Sequence, residues 1–212
     1  FSPDTDPLAF ETGGPYGVSL QFLHDFIEEH NISDTMTTAE VVEKIVKPQT
    51  AETKETYVKA KLWKTHPEYF VDLRKEVRER EFLKRYAERG EEYGTGWFGS
   101  GELSIVDKYY VGFLSHAWLM PFKKLVEIAY QAPGTHYGRW SQLAPSHALG
   151  PRVFYWIDIF CKNQHVPAPA MDEFFQAIEA PGRVVAAMWP SRPVALSRVW
   201  CLYELWTSLH RN

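Results

Sequence analysis

The chain of 212 residues is 45% hydrophobic and 24% charged, enough to bury a sizeable core in one large domain or one domain with an extension. A net charge of -4 and a pI near 6.1 argue against a general nucleic-acid binder or a protein held on anionic membranes, and no run of 18 apolar residues occurs to span a bilayer. The two cysteines, Cys161 and Cys201, have no paired spacing, so neither a disulfide framework nor a metal cluster is expected, and a reducing, cytoplasmic setting is.

The first residue is Phe1 rather than Met, which reads as a fragment or a processed product and leaves room for a removed targeting segment. Residues 1–14, rich in Pro, Asp, Thr and Gly, read as an irregular lead-in. Apolar residues at 18, 22, 23, 26 and 27 predict a helix over Val18 to His30. Thr37-Thr38-Ala39-Glu40 has the form of a capping box and predicts a short helix through Val46, stopped by Pro48. Further helices are expected over Ala51 to Trp63 and, with Pro67 in its first turn, from Pro67 to Arg89. The charge run from Asp72 to Glu92 balances acids against bases and reads as a solvated helix face. The glycine-rich stretch Glu91 to Gly101 lacks the Lys-Ser/Thr pair of a phosphate loop. It reads as a boundary between a helical N-terminal region, 1–100, and a second domain, 101–212.

Beyond it, Tyr109 to Leu114 is apolar and β-rich, and Pro121 opens a helix to about Tyr130. Gln131 to Pro151 has no period and reads as a loop. Arg152 to Ile159 and Val184 to Trp189 are apolar on both faces, as strands between two layers are, with a helix over Met171 to Glu179 between them. Pro190 and Pro193 precede a last helix at about Leu196 to His210. Strands alternating with helices predict an α/β fold with a parallel sheet flanked by helices, and such sheets bind ligands beyond the carboxyl ends of their strands. Ser115, His116, Asp158, Asn163, Gln164 and His165 all fall at or just after predicted strand ends.

The last helix carries one carboxylate, Glu204, within an aromatic run. Val199, Leu202, Tyr203, Trp206 and Leu209 form its apolar stripe, and Glu204 lies well away from the centre of that stripe. Periodicity therefore favours a solvated glutamate on an outer face over a carboxylate aimed into a cleft. The tryptophans Trp156, Trp189, Trp200 and Trp206 read as core. For His116 the residues allow a strand-end structural histidine or an acid/base, and for Asp158 a turn cap or the partner of a base.

Three segments resemble the TIR domain family: Phe113-Leu114-Ser115-His116 its opening box, Phe174 to Glu179 its "AIE" helix, and Arg198 to Leu205 its "WCLxEL" box. Tyr155 to Gln164 resembles the "WIDxxCINQ" segment of the related fungal HET domains. The resemblance covers about half of the chain and excludes the first hundred residues. It implies a TIR-like, flavodoxin-like parallel sheet with an α-helical N-terminal extension, although a complete TIR sheet has two more strands after this last helix. It also implies cleavage of the nicotinamide–ribose bond of NAD, with Glu204 as the catalytic carboxylate. Ser115, His116, Trp118, Asp158, Asn163, Gln164 and Trp200 are then the substrate-binding candidates. NAD would be a substrate, with no resident cofactor or metal, and the partners would be further copies or other TIR-like domains. The alternative is a non-catalytic TIR/HET-like interaction module, since many members keep the box and act only as assembly surfaces.

Overall fold

Tyr110–Ser115 (β3) is six residues long and buried at every position, so it needs a layer on each side. In the computed structural model, which describes residues 16–73, 110–136, 153–166, 171–181, 183–188 and 199–210, both layers are present. Of residues 133–136, 171–174, 199, 200, 208 and 210 only the backbone is described.

β3 is flanked by Val153–Trp156 (β4) on one side and Val184–Ala186 (β5) on the other, both parallel to it. The sheet does not end at β4. Tyr16–Ser19 (β1) pairs with β4 antiparallel, with Val18 opposite Tyr155, and Phe70–Asp72 (β2) pairs with β1 antiparallel. The order is β2-β1-β4-β3-β5. The α/β class read from the sequence holds, but the sheet is mixed rather than wholly parallel. The N-terminal region contributes two strands as well as helices.

Two predicted helices change accordingly. The one expected from Val18 starts at Leu20 (α1, Leu20–Glu29), because Ser19 ends β1 and caps the helix by accepting the Phe22 amide at 3.0 Å. The one expected from Pro67 is a single 3-10 turn, Pro67–Tyr69, leading into β2; its remainder, with the charge run and the glycine-rich boundary, lies outside the described residues. Between Ala51 and Trp63 the helix reduces to a π turn, Val58–Leu62.

The capping box forms as read. Thr37 Oγ1 accepts the Glu40 amide, and the Glu40 carboxylate accepts the Thr37 amide, opening α2 (Thr38–Val41). The helix passes Pro48 through a π turn, Val42–Val46, into α3 (Lys47–Gln49), since a widened turn tolerates proline's missing donor. The Lys44 ammonium, with the Thr37 amide and hydroxyl, holds the Glu40 carboxyl at about 2, below its ordinary 4.5. A depressed folded value means the stabilisation is complete above 4.5 and is lost as pH falls towards 2. The pair is exposed, so the effect is small and salt-sensitive. The melting temperature of the wild type is expected to exceed that of Glu40→Gln at neutral pH, with the gap closing through this acid range; a gap independent of pH would contradict it.

Alternation along β3 sends Gly112 and Leu114 to one face and Phe113 and Ser115 to the other. On the first face Tyr155 lies over Gly112, where an added Cβ would sit 3.0 Å from the ring, so a larger residue would have to push the ring aside by a few tenths of an ångström. The Tyr155 hydroxyl donates to Ala129 O at 2.9 Å, in α4 (Phe122–His136), and burial pushes its pKa far above the usual phenol range. The backbone of α4 stays helical through Pro133 and Gly134, where the sequence reads as loop. The same face holds an aromatic cluster in which Phe160 meets Phe22, Phe26, Tyr57 and Phe122 at centroid distances of 4.9–6.0 Å. On the other face Phe113 stacks on Trp156, and α6 (Met171–Glu179) packs with α7 (Val199–His210), which also contacts β5. Between β4 and α6 a short α5, Asp158–Cys161, takes up the end of the stretch that reads as a strand to Ile159, so β4 stops at Trp156.

Candidate active site

The helix α7 is turned opposite to the orientation its apolar stripe predicts. Cys201, Glu204 and Thr207, spaced three apart, face inward and are buried, whereas Leu202, Trp206 and Leu209 are 45%, 54% and 76% exposed. Three of the residues expected in the core stripe, Leu202, Trp206 and Leu209, are therefore on the surface. Tyr203 is half-buried against Phe175 and Trp206. The cause lies in what α7 meets. Ser115, the last residue of β3, donates its hydroxyl to the Glu204 carboxylate. The Cys201 thiol donates to the carbonyl of His116 at 3.5 Å. Both contacts tie the inward face of α7 to the carboxyl end of β3, the place where parallel sheets bind ligands.

Glu204 is 8% exposed and Ser115 2%, so water does little to screen this pair. A buried carboxylate is costly unless hydrogen-bonded, and the Ser115 hydroxyl supplies one such bond. A fixed carboxylate at a strand end can stabilise positive charge that develops next to it.

His116 follows Ser115 directly, and its ring finds other partners. His116 Nε2 lies 3.6 Å from Asp158 Oδ1, and the Trp118 indole donates to Asp158 Oδ2 at 2.8 Å. Among the described residues neither His116 Nε2 nor Asp158 Oδ1 has a hydrogen bond, because 3.6 Å is just too long for one between them. Both atoms are buried, so the pair is held close without being closed. Asp158 is the first residue of α5; its backbone carbonyl accepts Lys162 N at 3.0 Å and Gln164 Nε2 at 2.6 Å.

The predicted residues thus fall into three groups. Ser115 joins Glu204. His116, Trp118 and Asp158 form a second cluster on the neighbouring side of the same strand ends. Asn163 and Gln164 bond their amides to backbone carbonyls, Asn163 to Lys54 O at 2.6 Å, and Asn163 Oδ1 accepts the His165 amide. His165 Nε2 in turn lies 2.9 Å from Thr50 Oγ1. These contacts fasten the loop after α5 to the N-terminal segment, the role side-chain amides in loops commonly take. The side chain of Trp200 lies outside the described residues.

Cys161 is fully buried, and burial pushes its thiol up to about 12, so it packs as a small apolar residue rather than acting as a nucleophile. Native protein treated with iodoacetamide near pH 8 is expected to leave Cys161 unmodified and denatured protein to label it; rapid native labelling would refute the assignment.

One contributor escaped the sequence reading. Thr38, known only as the residue after the helix cap, bonds the loop that carries Trp118, 80 positions away. The capping box marks the helix start but gives no sign of this distant partner.

Comparison of the chain with family models, with curated proteins and with solved structures finds no match. What fold and site define is therefore an α/β protein whose described residues form a mixed five-stranded sheet with a buried Ser–Glu pair at its parallel strand ends. No helix among the described residues is long and apolar enough to cross a membrane.

Proposed function

We propose that this is a TIR-like domain acting in signalling or defence, which cleaves the bond between nicotinamide and ribose in NAD with Glu204 as its catalytic carboxylate. The observation that carries the reading is the burial of Glu204 against Ser115 at the end of β3, where its own helix would have predicted solvent. In the reaction the C1′–N bond breaks and its electron pair stays with the pyridine nitrogen, giving neutral nicotinamide. Positive charge develops on the ribose, the carboxylate stabilises it, and water adds at C1′ with release of a proton. Ser115 orients the carboxylate, and His116, Asp158 and Trp118 bind the substrate beside it. The setting is cytoplasmic, and the working form is self-associated or joined to other TIR-like domains.

The test is nicotinamide release from NAD, followed by chromatography, with the protein held at high local concentration on beads. Release is expected. Its absence from a demonstrably oligomeric sample would favour the second reading, a non-catalytic interaction module. That reading has its own support in the exposed Leu202, Trp206 and Leu209 on α7, since apolar and aromatic side chains anchor interfaces.

A further inference from the structure

The turn after β3 is held from the N-terminal region. At the start of α2 the Thr38 amide donates to Met120 O at 2.9 Å and the Ala39 amide to Trp118 O at 2.9 Å. The Thr38 hydroxyl, on a residue with no solvent exposure, donates to the same Trp118 carbonyl at 2.8 Å. The Phe122 amide returns a bond to Met36 O at 2.8 Å, and Thr37 bridges to Pro121. The backbone of Trp118 is thus fixed by two donors from α2, and its indole donates to Asp158. The other oxygen of that carboxylate faces His116 at 3.6 Å.

We infer that Thr38 is a positioning residue of the site: through the Trp118 carbonyl it sets the indole that orients the Asp158 carboxylate towards His116. The placement of the indole follows from the contacts alone, whereas the kinetic consequence rests on the proposed cleavage of NAD. Thr38 lies outside the half of the chain that carries the motifs, so the site is completed by the segment that the motifs omit. Two helix-end amides would still be bonded without the hydroxyl, and the loop would remain attached. What is lost is one of the two donors on Trp118 O, and a side chain that hangs from a less constrained carbonyl wanders.

The experiment uses the whole chain as Thr38→Val, which keeps the shape and removes the donor, and Thr38→Ser, which keeps the donor. The indole N–H resonance of Trp118, assigned by its disappearance in Trp118→Phe, is followed by nitrogen-15 NMR. In Thr38→Val it is expected to shift, and its exchange with solvent deuterium to accelerate by about fivefold, the factor that loss of one ordinary hydrogen bond implies. Thr38→Ser is expected to restore both. For NAD cleavage, KM is expected to rise by about the same factor in Thr38→Val while kcat changes less, because ground-state placement is what suffers. An indole resonance and exchange rate unchanged in folded Thr38→Val would overturn the inference, as would failure of Thr38→Ser to restore them. Should Thr38→Val not fold, Thr38→Cys supplies the comparison, with a weak donor and an intermediate shift expected. If the wild type releases no nicotinamide, the cleavage reading fails, and the indole measurements still decide the role of Thr38.

Discussion

Glu204→Gln is expected to lower nicotinamide release from NAD by at least about a hundredfold, the scale on which removal of a single preorganised charge-stabilising group acts. Glutamine keeps the length and shape of the side chain and can still accept from the Ser115 hydroxyl, so the seat between α7 and β3 survives. What disappears is the negative charge that the proposed mechanism places opposite the ribose as nicotinamide leaves. The loss should appear in kcat as well as in kcat/KM, because the interaction strengthens only in the transition state. Stability should move the other way or not at all. A carboxylate with 8% exposure bears a desolvation cost that an amide of equal volume largely escapes. A melting temperature equal to or above the wild type, together with lost turnover, marks a group kept for chemistry rather than for folding. Turnover within about threefold of the wild type would remove Glu204 from the mechanism, since a factor that small is less than one ordinary hydrogen bond. Ser115→Ala provides the graded companion. It leaves the charge but removes the Ser115 bond that orients it, so a smaller loss is expected.

Phe160→Ala is expected to cost about 3–5 kcal/mol of unfolding free energy, the range for truncating a buried phenylalanine. The ring has no solvent exposure and sits where four aromatic side chains converge. Phe22 and Phe26 come from α1, Tyr57 precedes the π turn, and Phe122 opens α4. Removing the ring therefore opens a cavity between the N-terminal segment and the strands that carry the motifs, and the stiff rings around it are poorly shaped to collapse into it. The melting temperature should fall by roughly 6–20 °C for a chain of this size. Loss should occur in one cooperative transition seen alike by near-ultraviolet and far-ultraviolet circular dichroism, because the cluster belongs to the continuous core shared by all five strands. A cost under about 1 kcal/mol would mean that the ring is not buried in this way.

The two variants expose different layers of what the residues encode. The aromatic positions that build the Phe160 cluster announce themselves as apolar, and so does the two-sided burial of β4, because a strand between two layers has no reason to be polar on either face. The helix Met171–Glu179 falls where its pattern puts it. The capping box at Thr37 and Glu40 is equally local: both partners lie within one turn, and the hydrogen bonds they make depend on nothing farther away. The strands β1 and β2 were not legible in this way. Tyr16–Ser19 runs into α1 without a glycine or proline between them, so its apolar residues merge with the helical pattern. Phe70–Asp72 is three residues long, too short for a period to show. Both are strands because neighbours supply their ladder bonds, and the partner of Val18, Tyr155, is far along the chain.

Glu204 shows the same division most sharply. From its residues alone, α7 is a helix with a carboxylate and an apolar stripe, and a helix of that composition should bury the stripe. The sequence determined that the helix exists, that it carries a single carboxylate, and that Ser115 and His116 end the strand Tyr110–Ser115. Only the tertiary structure decided which way α7 turns, that Ser115 closes on Glu204 while His116 turns to Asp158, and that Thr38 steadies Trp118 beside them. The reason is that helix periodicity records which residues share a face, but the direction of that face is set by what the neighbouring layer offers. Here the neighbour is a strand end that offers a hydroxyl to Glu204 and a carbonyl to Cys201, contributed by residues almost ninety positions away.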